Sequence, residues 1–360
     1  MVNTSSAMNQ ELTKSRRVGR SAAVRAVMPA GQARPCFSSI VACVDNSRHA
    51  STVLAWAAAL ARTLDASLRI LHVLETSKDN AKPQDPITWE LRRMEERSRL
   101  EALIAQVDIR GAGPAEIDVA VGQFEERFLS SLAASKADLC VIGAVGDVTR
   151  PDRVIGDTAR RITETANCSV LIVPPQMPNE SAQGGLALRR LMVPLDCSRR
   201  AETALPAAIA IADAFGADMV MAHAIPEPSI TALGPPDETD MALHRQVVEH
   251  NRKAAVRYLS RIRARLALDR RPVRTLILSG VDPRHHLLRA VADEEVDLIV
   301  LAAKGAGGYT DQPLGSVTSF LVTHLGKPLL IVRPGCDHTT ATTSAHVRAP
   351  GQQHPPRNQV

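Results

Sequence analysis

Short apolar runs alternate with longer stretches in which Ala and Leu return at helical spacing, and the whole alternation is met twice along the chain. In the first half the runs Ile40–Val44, Leu68–Val73, Ile117–Val121, Leu139–Ile142 and Val170–Val173 predict strands; in the second the runs are Leu191–Leu195, Met219–Ala224, Val273–Leu278, Leu298–Leu301 and Leu329–Val332. They are apolar throughout rather than at every other position, so these strands are expected to be buried on both faces. The stretches 48–64 and 199–215 predict a helix after each first strand, and the charged stretches 86–107 and 240–267 predict a covering helix after each second strand. Further helices are expected after Gly122 and Gly280. Strands alternating with helices imply right-handed crossovers and a parallel sheet.

The two halves are copies. "IVACVDNSRHASTVLAW", from Ile40, aligns without a gap on "LMVPLDCSRRAETALPA", from Leu191, 151 residues on, pairing Asp45 with Asp196, Ser47 with Ser198 and His72 with His223. From the fourth strand onward the spacing is 159, pairing Asp138 with Asp297, Gly146 with Gly305 and Gly156 with Gly315. Self-similarity of this extent means a duplicated unit. The expected organisation is a disordered basic tail over 1–35, a domain over 36–175, a Pro/Gly/Ser linker over 176–186, a second domain over 187–334 and a disordered tail over 335–360. The fold class is α/β, with two tandem doubly wound domains, each a five-stranded parallel sheet with helices on both faces.

Composition and run length refine this picture at four points. Aromatics make up 2% of the chain, so the core must come from Ala, Val, Leu and Ile. The formal charge is +5, but residues 1–35 hold six Lys and Arg against one acid, Glu11, which leaves the repeats near neutral. A nucleic-acid binder carries its basic patch on the folded domain, so nucleic acid is not an expected partner. The six cysteines are scattered without a C-x-x-C, which fits free thiols in a reducing compartment, the cytoplasm. No apolar run reaches the roughly 20 residues of a membrane helix, and no membrane partner is expected.

Candidate chemistry gathers at the carboxyl ends of the strands, where doubly wound sheets bind ligands. Asp45 and Asp196 end the first strands. After the fourth strands stand Gly143, Gly146 and Gly156-Asp157 in one copy, and Ala302, Lys304, Gly305 and Gly315-Ser316-Val317 in the other. Glycines let backbone N–H groups approach an anion, and a helix beginning at the last glycine attracts phosphate. A tight strand-to-helix turn needing positive φ uses the same residues. His72 and His223 fit structural roles at strand ends, and His285-His286 follows an Asp282-Pro283 helix start. Neither pair has metal-ligand spacing.

These motifs, twice in order, resemble the universal stress protein family, over about 38–334. The resemblance implies a Rossmann-like fold of the adenine nucleotide alpha-hydrolase type and, in the nucleotide-binding branch, the pattern G-x2-G-x9-G-(S/T). It implies that Asp45 and Asp196 contact adenine, that Val73 and Ala224 lie against the base, and that the loop glycines with Ser316 hold ribose and phosphates. ATP, with or without Mg2+, is the implied cofactor. Asp157 replaces the hydroxyl in the first copy and sets a carboxylate against phosphate, at about 4 kcal/mol per charge pair for 4 Å and an effective dielectric near 20; Arg150 and Arg153 of the same loop would offset it. Ala302 replaces the first Gly in the second copy, a smaller obstacle, and Lys304 adds a cation. The expectation is a nucleotide-responsive stress regulator binding ATP chiefly in the second domain, with unidentified protein partners. Two alternatives stay open: an interaction protein that binds no nucleotide, and a slow ATPase. The fifth strands, "SVLIVPP" and "PLLIVRP", are expected to pair within the chain as a pseudo-dimer or between chains as a homodimer.

Overall fold

β1 (Ser39–Cys43) sends its side chains alternately into two cores, Ile40 and Ala42 to one face and Val41 to the other. The same period-2 division recurs in β4 (Leu139–Gly143), where Leu139 and Val141 face one way and Cys140 and Ile142 the other. Helices cover both sides, which is why these strands carry no polar face.

The computed structural model describes residues 36–75, 86–107, 109, 111–146, 154–175, 186–226, 238–266, 273–280, 282–307 and 312–333. Both expected tails, nearly all of the linker, and Arg150 and Arg153 lie outside the described residues. The chain divides into Met1–Arg34 and Pro35–Val360, and the second unit holds both repeats.

The first repeat continues with α1 (Ala50–Leu64), β2 (Ser67–Glu75), α2 (Pro86–Gln106), β3 (Glu116–Gly122), α3 (Phe124–Ser135), then β4, α4 (Asp157–Thr165) and β5 (Ser169–Val173). The second runs β6 (Arg190–Pro194), α5 (Arg199–Glu202), α6 (Leu205–Phe215), β7 (Asp218–Pro226), α7 (Glu238–Arg265), β8 (Val273–Gly280), α8 (Pro283–Asp293), β9 (Leu298–Ala302), α9 (Ser316–His324) and β10 (Leu329–Val332). Each repeat is a parallel sheet, ordered 3-2-1-4-5 in the first and 8-7-6-9-10 in the second. The order reverses between β1 and β4, and again between β6 and β9, so each repeat has one switch-point crevice.

The helix expected over 199–215 is broken. Pro206 has no N–H to donate to the carbonyl of Glu202, so the chain stops at α5, turns through Thr203 and Ala204, and restarts as α6. The first repeat has Ala55 at that place, and α1 runs unbroken. Asp282 caps α8 as expected, accepting from the N–H of Arg284, with Pro283 behind it.

The two repeats are fused into one ten-stranded sheet. β5 and β10 pair antiparallel, with Leu171 opposite Leu330 and Val170 opposite Ile331. α1 and α6 touch over this seam, and one core cluster runs across it from Trp56 and Leu171 to Leu205 and Leu330. An antiparallel seam has a functional consequence. The strands of the two repeats run in opposite directions, so their carboxyl ends, and the two crevices, lie on opposite edges of the sheet.

Candidate functional site

Each crevice is assembled from four places in its repeat. The carboxylate after the first strand comes first. Asp45 Oδ1 accepts the N–H of Ser47, and Asp196 Oδ1 accepts the N–H of Ser198, both at 3.0 Å. These bonds turn the chain from strand into helix. The carbonyl just before each Asp is held by a histidine: His72 Nδ1 lies 2.8 Å from the Val44 oxygen, and His223 Nδ1 lies 2.7 Å from the Leu195 oxygen. A carbonyl only accepts, so in each ring Nδ1 carries the hydrogen. The histidines do not end their strands, since β2 and β7 run on to Glu75 and Pro226; they are struts for the Asp-bearing turn.

The loop after the fourth strand is pinned at both ends. Ala144 N–H donates to Val173 O and Gly156 N–H to Ala144 O, at 2.8 and 2.7 Å. In the second repeat Ala303 N–H donates to Val332 O and Gly315 N–H to Ala303 O, at 2.9 and 2.8 Å. The last glycine thereby becomes the N-cap of α4 or α9, with extended φ and ψ. Asp157 and Ser316 are the first helical residues. Gly156, and not Asp157, is therefore the N-cap of α4.

The loop glycines are not there for positive φ. Among the described glycines only Gly111, Gly113, Gly122, Gly216 and Gly280 have it. Close approach is the reason instead. A Cβ on Gly305 would come within 2.0 Å of Asp196 Oδ2, and one on Gly146 within 3.0 Å of Asp45 Oδ2. Each Asp thus reaches across the crevice to the loop of its own repeat. A Cβ on Gly143 would sit 3.4 Å from Val53. The second repeat has Ala302 there, and the residue corresponding to Val53 is the smaller Ala204. The departure from glycine goes with a compensating loss of bulk.

The crevices differ in room and charge. The first, about 830 Å3, gathers Asp45, Val73, Gly143, Gly146, Gly156 and Asp157, and with them Asn46, Glu75, Phe124 and Thr158. The second, about 140 Å3, gathers Asp196, Ala224, Ala302, Lys304, Gly305, Gly315, Ser316 and Val317, and with them Pro283, Leu287 and Thr318. The Asp, the second-strand residue and the loop residues named from the sequence in each repeat therefore lie at their crevice, while Arg150 and Arg153 lie outside the described residues. The second is narrow because its loop is closed: Ala306 N–H donates to Asp196 Oδ2 at 2.6 Å. Thr318 Oγ1, buried, donates to the Ala302 carbonyl at 3.1 Å and holds α9 to the loop base.

Several of these neighbours had weak sequence signals or none. Thr158 stands beside Asp157 and brings a hydroxyl to the first crevice one residue late. Phe124 and Pro283 start helices on another strand's end, and only the strand order brings them in. Glu96 of α2 puts Oε2 3.9 Å from His72 Nε2, and that oxygen is buried without a hydrogen-bond partner. The thiol of Cys43, on the wall of the first crevice, is pushed up to about 12 by burial and then by Asp45. It remains a neutral thiol at neutral pH and offers no nucleophile.

The universal stress protein family model matches residues 37–174 and 187–333. Universal stress proteins of two Mycobacterium tuberculosis strains are each 31% identical to this chain over 140 residues, 38% of this chain and 48% of theirs. The match thus spans about half the length of those relatives. One from Thermus aquaticus is 30% identical over 146 residues, covering 40% of this chain and 98% of its own. Among solved structures, a universal stress protein from Archaeoglobus fulgidus covers 82% of this chain and 98% of its own, with a TM-score of 0.55 at 17% identity, a likeness of fold.

Proposed function

The chain belongs to the universal stress protein family, and from that premise we propose that it binds ATP at the carboxyl edge of its sheet, chiefly in the second repeat, and that nucleotide occupancy sets its contacts with protein partners in a stress response. The observation that carries this reading is the convergence, in each repeat, of four elements on one crevice: the Asp after the first strand, the end of the second, a glycine loop, and a helix N-terminus. An acceptor for the base, an apolar wall and a row of N–H donors for phosphate are the parts an adenine nucleotide needs.

Room and charge point to different repeats. The first crevice is large enough for a nucleotide as it stands, and the second is not. For ATP to enter the second, Ala306 N–H must release Asp196. That bond is exposed, so opening costs about 1 kcal/mol. Asp157 in the first crevice is also exposed, so its repulsion lies nearer the aqueous figure, about 1 kcal/mol for each unit charge of the phosphates. A triphosphate brings several such charges, and Lys304 and Ser316 favour the other site, so charge decides. Among the described residues no cluster of three His, Cys, Asp or Glu would hold a metal alone. Mg2+ would come with the phosphates.

Asp157→Ser, made in the full chain with the second site disabled by Asp196→Ala, is expected to raise ATP affinity at the first site at least about fivefold, the effect of a single unit charge. Fluorescence titration with an ATP analogue measures it, and unchanged affinity would contradict the charge argument. The described cysteines are free thiols, which supports the cytoplasm as the setting.

One observation favours a second reading. Both oxygens of Asp196 already accept backbone N–H groups, which gives the residue a structural task without any ligand. On that reading the protein keeps the fold and acts through its surfaces alone.

A further inference from the structure

α4 begins just after Gly156, on the wall of the first crevice, and ends at the opposite edge of the sheet. The carbonyls of its last turn there meet a residue of the other repeat. Arg333, immediately after β10, donates from Nη2 to Thr163 O at 2.5 Å and towards Glu164 O at 3.5 Å. Its backbone N–H donates to Ser169 Oγ, at the start of β5, at 3.3 Å. A guanidinium at this place satisfies carbonyls that have no partner within the helix and complements the negative end of its dipole.

On its other side Arg333 is joined through Val332 to the base of the second crevice. Val332, just before it, pairs with Ala302, and its carbonyl accepts the N–H of Ala303. Those two residues are the base of the second loop. One residue therefore stands between the loop base of one crevice and the far end of the helix that starts the other. The duplication supplies a control. Pro174 is the corresponding residue after β5, and it has neither an N–H nor a side-chain donor. Only one of the two related junctions carries the link.

We propose that Arg333 is a positioning residue that holds α4 from the second repeat and so couples the two crevices. The coupling rests on the nucleotide reading above; the positioning does not. Coupling of this kind is reciprocal, so occupancy of either crevice is felt at the other.

Amide hydrogen exchange on the full chain tests both parts. Without ligand, Arg333→Ala is expected to speed exchange of the amides of α4 about tenfold. Those of β7 and β8 should not change, and Arg333→Lys should recover most of the protection. If the Ala variant does not fold, Arg333→Gln, which keeps a donor but no charge, takes its place. Unchanged exchange in α4 would overturn the proposal. With Mg-ATP, the Asp45→Ala chain, whose first crevice is disabled, should still show at least a twofold change in α4 exchange, and Asp45→Ala/Arg333→Ala should show none. If ATP protects residues 302–307 and leaves α4 unaffected, the coupling is wrong. If ATP changes neither, the nucleotide reading has failed, and the ligand-free comparison alone decides the role of Arg333.

Discussion

Leu330→Asp is expected to leave both repeats unfolded. Leu330 is 1% exposed and sits opposite Leu171, itself fully buried, in the antiparallel seam. An unpaired carboxyl there costs several kcal/mol, whether it stays charged or takes up a proton. That is a large part of the 5–15 kcal/mol by which a native protein is stable. The milder Leu330→Ala should cost about 3 kcal/mol and lower Tm by roughly 6 °C. The form of the transition matters as much as its midpoint. One core cluster crosses the seam, so calorimetry should show a single transition that moves as a whole. Two transitions, with only the second repeat's shifted, would mean that the repeats fold as separate bodies joined only at their edges.

Asp196→Ala is expected to weaken Mg-ATP binding about two- to thirtyfold, and the sign of this change separates the two functional readings. The carboxylate holds the loop through an exposed bond to Ala306, worth about 1 kcal/mol. Against a bound base, shielded from water, a charge-assisted bond contributes about 1.5–3 kcal/mol. If Asp196 recognises the base, losing it outweighs the easier opening and affinity falls. If Asp196 only closes the loop, its removal frees the crevice, and affinity for any ligand rises or does not change. Equilibrium titration of the full-length variant beside the wild type decides between them.

The parts of this fold that were legible in the sequence are those set by local pattern. Runs such as Leu298–Leu301 are apolar at every position because helices cover both sheet faces, and the duplication made each element readable twice. The crevice residues were legible because the strand-end Asp and the glycine spacing are local too. What could not be read is what depends on contacts distant in sequence. The break at Pro206 is the exception: its signal was present, but the strong helical spacing on either side concealed it. Closure of the second loop depends on Asp196 meeting Ala306, 110 residues away, with room for the carboxylate only because Gly305 has no Cβ. Phe124 and Pro283 reach the crevices through strand order alone. The carbonyl bonds of His72 and His223 explain why a histidine stands at the same place in each second strand, although spacing alone showed only the recurrence. Arg333 stands in the sequence only as the difference between "IVPP" and "IVRP"; its partners in α4 lie in the other repeat.

Calorimetric titration of the full chain with Mg-ATP tests the central claim most directly. The expected result is saturable heat with about one tight site per chain and a second site, if resolved, of lower affinity. No saturable heat up to millimolar ATP would contradict nucleotide binding at either edge of the sheet.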